Sequence, residues 1–112
     1  MTKTYLHDYD AMSGEVIVKA HKTLTEMCNE QFDKLDAMMD DPSVSDSELI
    51  REEAEMQSIE NRLVDVHQYV KDYMFRKMSE KDSSIQRIIV DRMFLTERER
   101  TTELAYNLLL NK

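Results

Sequence analysis

Residues 48–81 contain no glycine and no proline, and their apolar side chains recur every seven positions. Leu49, Met56, Leu63 and Val70 form one row, and Ile59, Val66 and Tyr73 form the next. As a helix, this stretch is a rod about 50 Å long, with a hydrophobic seam on one side and charge on the others. Such a seam must be covered by the rest of the chain or by a second chain. Helix-on-helix packing is therefore the only economical architecture.

Composition agrees. One glycine and one proline in 112 residues are too few for a sheet with many hairpin turns. A charged fraction of 34% with 7% aromatics fits long amphipathic helices. The single cysteine, Cys28, excludes an internal disulfide. With no apolar run near membrane-spanning length and no hydrophobic leader, the expectation is a soluble, cytoplasmic protein in a reducing compartment, with no membrane association.

Residues 1–12 read as a polar arm bearing Tyr5, Leu6 and Tyr9, followed by one helical domain over 13–112. Ser13 is placed to cap a first helix over about 14–40, with Ile17, Leu24, Gln31 and Met38 spaced seven apart. Gln31 interrupts that row. It is expected as a half-exposed, satisfied polar position, the sharper alternative being a register-setting contact between helices.

Pro42 breaks the chain, and Ser45 with Glu48 reads as a capping box opening a second helix over about 46–81. So short a loop implies an antiparallel hairpin. Ser83 with Gln86 and Thr96 with Glu99 are further candidate caps, making residues 84–111 one bent helix or two short ones. The expected fold is all-α: a long hairpin plus C-terminal helices in a three- to four-helix bundle, with coiled-coil spacing and completed by dimerisation.

Catalytic and metal chemistry find no foothold. No glutamate stands three residues before His7, His21 or His67, so the dimetal carboxylate signature fails at each. His21 and Cys28 share a helical face but lie about 10 Å apart, too far for one ion. Cys28 lies beside the apolar row of the first helix, where a small buried filler is the usual role of a cysteine. No phosphate-cradling glycine loop or nucleophile elbow is present. The expectation is a non-enzyme with no cofactor.

Residues 95–100, followed by Leu104 and Ala105, resemble the opening helix of a helix-turn-helix DNA reader. No recognition helix follows them before Lys112, and a capped helix with alternating surface charge is expected instead.

Two constellations point to partners. Met38 and Met39 near the hairpin loop, and Met74, Phe75 and Met78 near the far end, are hard to bury together in so small a bundle. Around the loop, Asp36, Asp40, Asp41, Glu52 and Glu53 lead an acidic cluster. Residues 1–60 carry 15 acidic and 5 basic side chains, against 8 and 10 in residues 61–112. That field opposes direct nucleic-acid binding and favours a basic partner or self-association.

Three functional readings follow. The leading one is an acidic helical interaction module (an adaptor, chaperone or inhibitor) that packs on a protein partner and forms a homodimer. The second is an acidic mimic that blocks a DNA- or RNA-binding protein; small, acidic, helical phage-encoded DNA mimics are similar in general character. The third is a helical subunit of a filament or secretion apparatus, since needle-type subunits are α-hairpins with an Asp-Pro turn similar to residues 41–43.

Overall fold

The computed structural model describes residues 5–78 and 83–112; the side chains of 78 and 83–87 are not part of that description. Among the described residues there are four helices: α1 Gly14–Met39, α2 Asp46–Met78, α3 Ser83–Thr96 and α4 Arg98–Leu110. A single 3-10 turn, Tyr9–Ala11, precedes them, and no strand occurs among the described residues. α1 and α2 form a tight antiparallel pair, with α3 and α4 packed against it.

Local chemistry sets the boundaries. The Ser13 side chain accepts from the Val16 amide at 3.3 Å and opens α1. The Ser45–Glu48 capping box forms in both directions, at 3.3 and 3.4 Å. Asp41 accepts from the Ser43 amide at 2.9 Å and from its hydroxyl at 2.6 Å, which closes the loop around Pro42.

Residues 84–111 resolve into two helices rather than one. Glu97 leaves helical geometry at φ −134°, ψ 55° and precedes α4 without a side-chain cap bond. The expected Thr96 cap does not form, because the Thr96 hydroxyl donates back to the Arg92 carbonyl at 2.9 Å. The corner is held instead by Thr101, wholly buried, whose hydroxyl donates to the Met93 carbonyl at 3.0 Å. The Ser83–Gln86 capping box falls outside the described side chains.

The main core gathers Ile17, Val18, Val66, Tyr69, Val70 and Met74 from the hairpin with Val90, Phe94, Ala105 and Leu109 from α3 and α4. The arm belongs to it. Tyr9 is buried in the same cluster, and its hydroxyl donates to Asp65 at 2.5 Å. The Tyr5 hydroxyl bonds Asp72, and Tyr69 donates to Asp10 at 2.7 Å. Lys112 then spans the 3-10 turn, donating to the carbonyls of Tyr9, Asp10 and Met12 at 2.9–3.2 Å. Three tyrosine–carboxylate bonds and one lysine thus fasten the arm to α2 and to the end of α4.

Helix lengths dictate the overall shape. α2 has 33 residues and α4 has 13, so they run about 50 and 20 Å. α4 lies antiparallel to α1, its last turn against Gly14 and its first beside Asn29. Cover by α4 ends there. Beyond that level the hairpin continues as a two-helix pair, which gives a molecule 57 × 30 × 26 Å across.

Candidate functional site

The uncovered end of the hairpin concentrates both kinds of residue that a docking surface needs. Leu35, Met56 and Ile59 are buried between its two helices, yet lie outside the main core. Thr25, Phe32 and Met39 are seven apart on α1 and so form one stripe. Thr25 lines the cleft against α4, whereas Phe32 and Met39 lie past it and stand 60% and 73% exposed. Ile50, in the second turn of α2, is 70% exposed.

Charge surrounds these side chains. Residues 30–57, past the reach of α4, hold 10 acidic and 2 basic side chains, a balance of −8, while the remaining 13 acidic and 13 basic cancel. Asp36, Asp40, Asp41 and Glu53 are exposed. Two of the acids also have structural duties. Asp41 is held below the ordinary carboxylate range by the Ser43 hydroxyl and amide bonds. Glu52 is held down first by the Gln31 side chain at 2.7 Å, then by Lys34 at 3.1 Å.

Gln31 is half-buried and also donates to the Glu52 carbonyl at 3.1 Å. It is therefore satisfied and at the same time bridges α1 to α2.

The sequence-derived apolar candidates separate. Met39 is open and Met38 half-buried at the loop end. Met74 is 2% exposed and packs inside the main core, so α3 and α4 use it themselves. Phe75 is half-buried, and the Met78 side chain lies outside the described residues. Phe32 and Ile50 were not among the candidates. Phe32 sits one residue off the Gln31 row, and its seven-residue spacing to Met39 is the signal that reveals it.

A second polar cluster lies where the four helices meet. His21 on α1 is buried, with Nε2 at 3.0 Å from Nδ1 of His67 on α2. Its Nδ1 bonds the Tyr106 hydroxyl on α4, and His67 meets the Phe94 ring of α3 edge-on. Both bonds are satisfied together only when donors run in one direction along the chain of three groups.

Burial, then the neighbouring His67 and Arg98, pushes His21 down to about 4. His67 is lowered too, by burial first and then by Lys71 and Arg98. Both imidazoles are accordingly neutral at pH 7. Among the described residues no three His, Cys, Asp or Glu side chains are grouped to hold a metal ion. No described helix is long and apolar enough to cross a membrane.

No protein-family model, curated protein or solved structure matches the chain.

Proposed function

We propose that the chain is an acidic helical interaction module whose hairpin tip packs on a protein partner. The observation that carries this reading is the pairing of exposed Phe32, Met39 and Ile50 with the −8 balance of residues 30–57 on an end that α4 does not reach. Apolar anchors inside a charged rim are the usual anatomy of a binding surface. The complementary partner is basic, with an apolar pocket or groove at its centre. Adaptor, chaperone and inhibitor roles all use such a contact, and the acid-mimic role is its purely electrostatic limit.

Replacing Phe32 and Met39 by Asp should abolish capture of that partner while helicity is retained. Binding should weaken about tenfold or less as salt rises from low to physiological strength, because the apolar anchors are not screened. If capture survives Phe32→Asp/Met39→Asp but disappears on charge reversal at Asp36, Asp40 and Glu53, the acid-mimic reading replaces this one. If neither set of changes affects capture, the tip is not the docking element.

A further inference from the structure

On the side of α1 away from α4, a groove of about 490 Å³ opens between the arm, α1 and α2. Its floor is apolar: Met12, Val16, Ala20, Leu24, Met27 and Val66 line it. Two cations, Lys19 and Arg62, stand exposed at its rim, and neither makes an ion pair among the described residues. With about 3.6 residues per turn, Ala20, Thr23 and Met27 point opposite to Lys22, Thr25 and Asn29, which line the α4 cleft. The chain thus has an apolar, cation-rimmed groove on one side. On the other it has an apolar, acid-rimmed tip.

We propose that the groove receives the hairpin tip of a second copy of this chain. Phe32 and Met39 would meet the apolar floor, with Asp36 and Asp40 against Lys19 and Arg62. The inference rests on the tip being a docking element and adds that the chain carries its own receptor for it. Dimensions agree: Val16 to Met27 spans about 16 Å of α1, and Phe32 to Met39 spans about 10 Å. Charge agrees as well, since a −8 tip meets a groove rimmed by two cations that form no ion pair among the described residues.

Because tip and groove lie on opposite sides of α1, the contact is heterologous. Each copy that docks leaves one free tip and one free groove, so association propagates head to tail instead of stopping at a two-fold pair.

Sedimentation of the purified chain up to about millimolar concentration tests this. Species larger than a dimer should grow with concentration and dissociate as salt rises. Lys19→Glu with Arg62→Glu should leave a monomer of unchanged helicity, and so should Asp36→Lys with Asp40→Lys. Mixing the two variants, or placing all four changes on one chain, should restore association, which a merely structural role for these residues would not do.

A wild-type chain that stays monomeric overturns the proposal. So does a dimer that never grows, or association lost only on Ile88→Glu with Leu95→Glu, which would place the contact on the outer face of α3. The Lys19→Glu/Arg62→Glu chain keeps an intact tip. If it still captures the basic partner while wild type does not self-associate, self-docking alone is refuted.

Discussion

A methyl group on Gly14 would lie 1.7 Å from the Leu109 carbonyl oxygen, where α1 starts against the end of α4. Alanine in a helix gains about 1 kcal/mol over glycine from reduced chain entropy. Here the overlap is with backbone, so two helix ends must separate by more than an ångström, at a cost of about 1–3 kcal/mol or more. The steric effect wins. Gly14→Ala should lower the melting temperature by about 5 °C or more, measured by circular dichroism. Residues near Gly14 in sequence reveal only a helix start; its role as a contact point depends on Leu109, which no local pattern connects to it. The Ser13 and Ser45 caps, by contrast, were legible because all their partners lie within three residues.

Among elements, the seam of α2 was the most legible feature. Met56, Ile59, Val66, Val70 and Tyr73 are all buried, as a seven-residue repeat requires. α3 was less legible. It is rich in apolar residues, yet among its described side chains only Val90 and Phe94 are buried, while Leu95 is 85% exposed. A helix of 14 residues packed on one side can bury one stripe, whatever its composition.

The histidine pair joins elements that the sequence keeps apart, and it makes their packing pH-dependent. The folded state resists protonating His21 until about pH 4, whereas the unfolded chain protonates near 6.5. Stability from this group is therefore complete above about pH 7 and is lost as pH falls from 6.5 toward 4, by about 3 kcal/mol in all. His67 adds to the loss in the same direction. Melting temperature should fall between pH 7 and 5, and His21→Gln with His67→Gln should flatten that slope. An unchanged slope in the double variant would assign the window to other groups.

At the scale of the whole molecule, the governing fact is a mismatch of lengths. A hairpin with one arm of 33 residues is covered on one side by a helix of 13, and the arm and the C-terminal lysine seal the opposite end. The sequence revealed that the seam was long, but it left residues 84–111 open as one bent helix or two short ones. Where α4 lies along the hairpin follows from long-range contacts such as Gly14–Leu109 and His21–Tyr106, and that placement decides which apolar residues stay open. Met74 illustrates the point: composition and position make it equivalent to Met39, but one lies under α3 and α4 and the other beyond them.

If the tip residues exist for docking and not for folding, they contribute little to the stability of the isolated chain. Thermal unfolding of Phe32→Asp/Met39→Asp in dilute solution tests this directly. The melting temperature should stay within about 3 °C of wild type, as expected for exposed positions. A fall of about 10 °C or more would mean that Phe32 and Met39 are packed inside the monomer, and the hairpin would have no open end to offer.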